Sequence, residues 1–340
     1  MGQEGILILG SNHPAALELI YSSELAKLGI RNKIIGIQNL FLVYYAKSLL
    51  NKIIYRLGIS KIESKIQKII KAEILEYNPK TVLVFKGMEI QPQTLQWIKF
   101  KGIKVLNYNP DSPFIFSGRG SGNKNVTNSL SLFDYYITYD KAINKELVNR
   151  SVKSAIIPFG FDWSGFNYIE LEEKDEVFKL CFLGNADKFR IDFLEQIAQK
   201  GVKIDVYGEN WSDCKLHENI STFGPKYGAE FWEILQKYAL QLNLLRPHNL
   251  NSHNMRSFDI PGAGGIMLAP RTPDHQTYFK EFAEVFLFSD VNEAHKHIQL
   301  ILNLSFSERN EIRQAARLKA KEYHTYTHRT LQLVNYLDVQ

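Results

Sequence analysis

The sequence predicts an α/β protein made of two tandem domains, each a parallel sheet with helices on both faces. Three observations carry that prediction. Short apolar runs alternate with amphipathic segments, the pattern of buried parallel strands joined by helical crossovers. The pattern passes through an acidic stretch and restarts near residue 176. The chain has 340 residues, too many for one ordinary core and about right for two.

The elements follow in order. Residues 6–9 (ILIL) read as a buried strand, and 14–28 as a helix with Leu17, Ile20, Leu25 and Leu28 at helical spacing. Residues 33–36 are a short strand, and 40–77 are largely helical and basic. Strands at 81–85 (TVLVF), 104–108 (KVLNY), 134–138 (DYYIT) and 155–157 follow, with a helix at 91–100. In the second half, 178–183 (FKLCFL) ends in Gly184 and 203–207 (KIDVY) ends in Gly208; both read as strands. Further strands are expected at 240–245, 265–268 and 285–288, and helices at 189–200, 229–238, 252–261, 292–304 and 307–323. The boundaries are a Rossmann-like domain over 1–160, a linker over 161–176, a second Rossmann-like domain over 177–324, and a C-terminal helix over 325–340 that packs back on the first domain. Two such sheets are expected to face a central cleft, where open α/β folds bind ligands.

Composition narrows the class. With 45% hydrophobic and 23% charged residues, disordered, low-complexity and polytopic membrane proteins are excluded. No run approaches the ~18 apolar residues that span a bilayer. The opening MGQEGILILG lacks a basic region and a cleavage site, and Ile6 stands where a myristoylation signal after Gly2 needs Ser or Thr. Cys181 and Cys214 cannot form a disulfide framework and lack zinc-site spacing. A cytoplasmic location is expected. The net charge of +5 is uneven: residues 31–104 hold fourteen Lys/Arg and four Asp/Glu, +10, which leaves −5 for the rest.

GxGxxG, GxxxxGK[ST], GxSxG and HExxH are all missing, which removes the main support for dehydrogenase, P-loop, serine-hydrolase and zincin readings. The Gly-rich RGSGN at 119–123 follows no convincing strand and reads as a mobile loop, with a phosphate cradle as the lesser alternative. The informative stretch is 240–291. A buried run ends at Arg246, a polar loop follows, and a short helix carries Arg256 and Asp259 before Gly264 and Gly265. A strand-to-helix loop suits a diphosphate through backbone N–H groups and the helix dipole. Arg246 and Arg256 can add charge-assisted hydrogen bonds, and Asp259 can accept two from a ribose. The competing reading pairs Arg256 with Asp259 within the helix and makes the glycines a tight turn. His248, His253 and His275 lie in these loops; they could touch sugar or phosphate, and the favoured reading is that they face solvent.

Asn254, Met255, Arg256, Phe258, Asp259, Gly264 and Gly265, then Glu281, Glu284, Val285 and Asp290, then His324, Thr325, Tyr326, His328 and Arg329, resemble the C-terminal donor domain of GT-B glycosyltransferases. The nearest group is CgeB-like, within the glycosyl transferase group 1 type. The resemblance covers roughly 176–332, and the first half resembles it only in architecture. It implies that the loop Gly184-Asn185 borders a nucleotide-sugar donor, that Lys188 and Arg190 neutralise its phosphates, and that Gly208 with its neighbours borders the base. It implies metal-independent transfer, and the missing DxD motif fits. The family usually has Glu where Asp259 stands. An inverting enzyme would take its general base from the first domain, where His13 and Asp111 follow expected strands; the competing reading makes both turn residues. The donor is then a UDP-, GDP-, dTDP- or CMP-sugar and the acceptor a glycan, lipid or protein.

Residues 41–77 interleave apolar and basic side chains at helical spacing. One reading is peripheral contact with an anionic membrane; the other packs the apolar stripe on the first sheet. Without an RNA- or DNA-binding signature, nucleic acid is not an expected partner. Two further functional classes stay open: a non-catalytic nucleotide-sugar or glycan binder, and a sugar-nucleotide epimerase of the same architecture.

Overall fold

The computed structural model describes residues 5–14, 16–116, 121–163, 166–246 and 251–337. Gly2, the Arg119-Gly120 part of the Gly-rich run, and His248 lie outside the described residues. The chain divides into two compact units, one of residues 1–158 with 326–340 and the other of residues 159–325.

The first unit holds six parallel strands: β1 (Ile6–Leu9), β2 (Asn32–Ile35), β3 (Thr81–Phe85), β4 (Lys104–Asn109), β5 (Tyr135–Thr138) and β6 (Ser154–Ile156), in the order β2-β1-β3-β4-β5-β6. β1 and β3 are buried at every residue, as their unbroken apolar sequences require. The core on one side is closed by Ile62, Ile66, Ile70 and Ile74 of the helix Ile62–Tyr77, which also packs against Val82, Val84 and Leu95. The basic segment is three helices rather than one: Ile37–Ala46, Leu49–Arg56 and Ile62–Tyr77. Ser48 stops the first by capping the second, accepting the Asn51 N–H at 3.1 Å. Gly58, at φ 72°, ends the second. The C-terminal helix Tyr326–Val334 belongs to this unit, where Thr327 bonds Glu24 (2.6 Å) and Tyr326 packs edge-on to Tyr21.

The second unit repeats the plan with β7 (Val177–Leu183), β8 (Ile204–Tyr207), β9 (Ile220–Phe223), β10 (Tyr238–Leu242), β11 (Met267–Pro270) and β12 (Val285–Phe288), all parallel, in the order β12-β11-β10-β7-β8-β9. Its core gathers Leu180, Phe182, Val206, Leu240, Leu242, Leu268 and Phe286. Residues expected to form a linker pack on this unit. Phe161 and Phe166 are buried and meet Trp232 edge-on at 5.5 and 5.4 Å between centroids. The Glu176 side chain is buried against Arg309 and Arg313. Among the described residues no helix is long and apolar enough to cross a membrane. Cys181 is buried, Cys214 half-buried, and both are free.

Candidate functional site

Parallel strands end together, so the loops after β7, β8, β10 and β11 gather at one edge of the second sheet. The first two are zipped. Gly184 donates to the Tyr207 carbonyl (2.9 Å), Ala186 to the Glu209 carbonyl (3.0 Å), Glu209 to the Asn185 side chain (3.1 Å), and the Trp211 indole to the Gly184 carbonyl (2.8 Å). A Cβ on Gly208 would lie 2.2 Å from the Gly184 oxygen, so only glycine lets these loops meet.

Arg190 sits in the first turn of the helix Lys188–Ala198, which Asp187 caps. It folds back under the first loop, donating to the Asn185 carbonyl at 2.9 Å and facing the Asp187 carboxylate at 3.4 Å. Burial holds its pKa below the ordinary guanidinium range; Asp187 opposes this, and the positive charges of Arg246 and Arg256 add to it. Three guanidinium groups therefore converge on this edge. Arg246, just beyond β10, is exposed, and among the described residues no hydrogen bond or ion pair engages it. Arg256 begins the helix Arg256–Ala263 and pairs with Asp259 at 2.7 Å, as one of the two sequence readings has it. Its guanidinium lies 4.2 Å from the Phe231 ring centroid, and its Nε is buried with no hydrogen-bond partner among the described residues. Burial raises the Asp259 carboxyl to about 6 against the pull of Arg256, and Asp162 adds to the rise.

A buried polar bracket fixes the start of that helix. Asn254 accepts the Ser257 N–H (3.0 Å) and donates to Asn243 (2.9 Å), and the Ser257 hydroxyl meets His275 Nε2 at 2.8 Å. His275 Nδ1 donates to the Pro270 carbonyl (2.7 Å), so Nε2 is the acceptor, and burial lowers its pKa to about 4. The ring is neutral and structural. His253 accepts the Phe159 N–H at Nε2 (3.3 Å) and donates from Nδ1 to Asp274 (2.8 Å). Both histidines are fully buried, against the expectation that they face solvent. The side chain of Asn254 is spent on this bracket and is not directed at a ligand.

Other expected contacts are also corrected. Lys188 is exposed and ion-paired with Asp192 one turn along, away from the loop it was to serve. Gly264 and Gly265 follow the helix and precede β11, so they lie at the amino edge of the sheet. Gly264 (φ 88°) caps the helix, and a Cβ on Gly265 would sit 2.5 Å from the Leu235 carbonyl oxygen. Their close approach is to the protein's own backbone, not to a phosphate.

In the first unit His13 and Asp111 follow β1 and β4 at the carboxyl edge of its sheet. His13 is exposed, with its N–H on the Ser11 hydroxyl (3.1 Å). Asp111 forms an ion pair with Lys86 at 2.6 Å. The sequence reading missed Glu89, in the loop after β3, whose carboxyl burial raises to about 7. Its signal was only its place after a strand end. Asn123, from the Gly-rich run, caps a short helix and bonds the Met88 carbonyl (2.9 Å). Among the described residues one cluster has metal-ligand chemistry, Glu281, Glu293 and His297. Arg271 bonds both carboxylates (2.6 and 2.7 Å), which holds Glu293 down at about 2 and supplies the cation that the cluster needs.

Two parallel six-stranded sheets in tandem, with a charged carboxyl edge on the second, define the GT-B class of two-domain α/β proteins. Residues 190–335 match the family model described as glycosyl transferase-like, and the whole chain resembles GT-B glycosyltransferases in fold. Sucrose-phosphate synthase (tll1590) from Thermosynechococcus elongatus is similar over 98% of each chain, at 12% identity and TM-score 0.66. Anabaena Alr3699/HepE, solved with UDP and glucose, is similar over 98% of this chain and 99% of its own, at 11% identity and TM-score 0.65. A UDP-N-acetylglucosamine 2-epimerase from Listeria monocytogenes, so described provisionally, is similar over 98% and 95%, at 12% identity and TM-score 0.58. At these identities the likeness is one of fold. No curated protein sequence matches.

Proposed function

We propose that this protein is a glycosyltransferase that moves a sugar from a nucleotide-sugar, bound on the second unit, to a glycan, lipid-linked or protein acceptor. The observation that carries the reading is the convergence of Arg190, Arg246 and Arg256 at the carboxyl edge of the second sheet. Like charges gather at a cost, which a diphosphate would offset through charge-assisted hydrogen bonds. The same groups would stabilise the nucleoside diphosphate as it leaves and gains charge, so the transfer needs no metal from the protein. The loops at Gly184-Asn185 and Gly208 border the nucleotide, and Asp259 is the candidate ribose acceptor. His13 and Asp111 remain the candidate bases on the first unit. The protein works in the cytoplasm, in keeping with its free cysteines.

The surface that would support contact with an anionic membrane is formed by the helices Ile37–Ala46 and Leu49–Arg56. There Leu42, Val43, Leu49, Leu50 and Ile53 are exposed beside Lys47, Lys52 and Arg56. The helix Ile62–Tyr77 buries its apolar stripe on the sheet instead.

Calorimetry with UDP-, GDP-, dTDP- and CMP-sugars tests the donor site. One nucleotide class is expected to bind, and Arg256→Ala to weaken it at least tenfold, about 1.4 kcal/mol. A panel with no binding overturns the reading. The likeness to an epimerase gives a second reading its own signature: conversion of the donor with no acceptor present. Nucleotide release that depends on an acceptor supports transfer and separates it from mere binding.

A further inference from the structure

The first unit contains a cavity of about 560 Å³ that none of the donor chemistry uses. It lies among the helices Ile37–Ala46, Leu49–Arg56 and Ile62–Tyr77 and the loop after β3. Its size falls within the roughly 300–1,000 Å³ range of small-molecule sites. We propose that this cavity binds a hydroxyl-rich amphiphile, a sugar-like head carrying an apolar chain or ring. On the transferase reading above, on which this role rests, that amphiphile is the acceptor.

The walls supply both halves of the recognition. Phe41, Tyr45, Tyr55, Ile66 and Met88 form the apolar side. The three rings pack on one another, with centroids 4.9–5.7 Å apart, and present a rigid aromatic face that suits sugar C–H groups or a hydrocarbon chain. Gln38 and the Glu89 carboxylate add groups that donate to or accept from hydroxyls; the Asn123 and Glu63 side chains beside them are already engaged, Asn123 by the Met88 carbonyl and its own helix and Glu63 by Gln91 Nε2 (3.4 Å). An all-apolar ligand would leave Gln38 and Glu89 without a hydrogen-bonding ligand, whereas a free sugar would leave the aromatic face unused.

The polar side is held in place before any ligand arrives. The loop after β3 turns sharply, with Lys86 at φ 57° and Gly87 at φ 94°. Lys86 is a non-glycine residue in left-handed backbone, a conformation that surrounding contacts must enforce. Those contacts are explicit. The Met88 carbonyl accepts from Asn123 (2.9 Å) and Asn125 (2.8 Å), and the Glu89 carbonyl accepts from Gln67 (2.9 Å). The Gln67 side chain also takes the Gln91 N–H (3.1 Å), so the carboxylate of Glu89 projects from a pinned backbone. Burial raises that carboxyl to about 7; Lys86 lowers it and Glu18 raises it further. A carboxyl kept in an apolar cavity at that energetic cost is the group that gains most from a hydroxyl partner. Leu42 lines the cavity and is half-exposed, an apolar rim on which a chain longer than the cavity would lie.

Octyl glucoside, titrated below its micelle concentration into the full-length protein by calorimetry, is the probe, with glucose and 1-octanol as its two halves. Octyl glucoside is expected to bind at least tenfold more tightly than either half. Leu42 is half-exposed at the mouth, so Leu42→Trp is expected to fold normally and to weaken the probe at least tenfold by filling the entrance. Glu89→Gln is expected to weaken octyl glucoside several-fold and to leave 1-octanol unchanged. Equal affinity for octanol or for glucose overturns the proposal, as does a Leu42→Trp protein that still binds the probe normally. If Leu42→Trp unfolds, Tyr45→Ala, which removes the aromatic wall, serves the same comparison. UDP-sugar binding is measured on the same samples. Its loss with probe binding intact removes the acceptor role and leaves the site; the reverse result removes the site and leaves the transferase reading.

Discussion

Asp259 is a carboxylate held at a cost. It is buried, and its pKa rises from the ordinary value near 3.8 to about 6 although Arg256 holds it at 2.7 Å. The folded protein therefore binds more protons at this site than the unfolded chain between about pH 4 and pH 6. Its contribution to stability is fully present below about pH 4 and is lost as pH rises through 6. A shift of about two units corresponds to about 3 kcal/mol at pH 7. Asp259→Asn removes the titration and keeps the shape. Urea unfolding at pH 4.5 and pH 7.5 is expected to show the variant gaining on the wild type by about 2–3 kcal/mol between the two. An unchanged difference would mean that the carboxylate is better solvated than its burial suggests. The retained penalty is what a ligand-binding group would carry, since a ribose supplies the hydrogen bonds that the apolar surroundings withhold.

At the scale of elements, one buried ion cluster ties the entry of the second sheet to its longest helix. Glu176, just before β7, bonds Arg309 Nε at 3.0 Å and also engages Arg313, both on the helix Phe306–Tyr323. All three side chains are at most 5% exposed. Burial depresses the Arg313 pKa and Glu176 opposes this, so removing the acid strands two cations. Glu176→Gln is expected to destabilise the second unit by about 3–5 kcal/mol, seen as a fall in its thermal midpoint of roughly 10 °C. A fall of a degree or less would show that the arginines find water instead. This cluster was not legible in the sequence, because 133 residues separate its partners and an acidic stretch reads as a solvated linker. The strands were legible where burial is double-sided: β1, β3 and β12 are buried at every residue and read as nearly unbroken apolar runs. β9 was not, because only Ile220 of ISTF is buried and the other three residues face solvent. The glycines after β7 and β8 could be found as strand-end punctuation. That Arg190 lies beneath them could not, since it depends on where β7 and the residues after β10 meet around it. Lys188 and Arg190 look alike in sequence, yet one faces Asp192 in solvent and the other faces the loop.

At the scale of the molecule, charge distinguishes the two units. The first unit carries 22 Lys/Arg against 12 Asp/Glu, +10, and the second 19 against 24, −5. A long-range field therefore draws anions toward the first unit and away from the second, within the Debye length of about 8 Å at physiological salt. On the proposed reading, a nucleoside diphosphate would owe its place on the second unit to short-range contacts with the three arginines, and an anionic surface would be attracted to the first by many exposed lysines acting together. The two interactions should differ in footprint and in salt dependence. In hydrogen exchange, the nucleotide-sugar that binds is expected to protect peptides spanning 184–190, 208–211 and 254–259, and vesicles rich in phosphatidylserine to protect 37–59. Raising salt from 50 to 300 mM should abolish vesicle protection, since each basic side chain contributes about 1 kcal/mol of screened attraction; it should weaken nucleotide protection only a few-fold. Lys47→Glu with Lys52→Glu and Arg56→Glu should lose the vesicle footprint and keep the nucleotide footprint. Nucleotide protection that falls instead on 10–13 and 86–111 would reverse the assignment of the two units, and vesicle protection that survives high salt would make the exposed leucines, rather than the lysines, the source of the attraction.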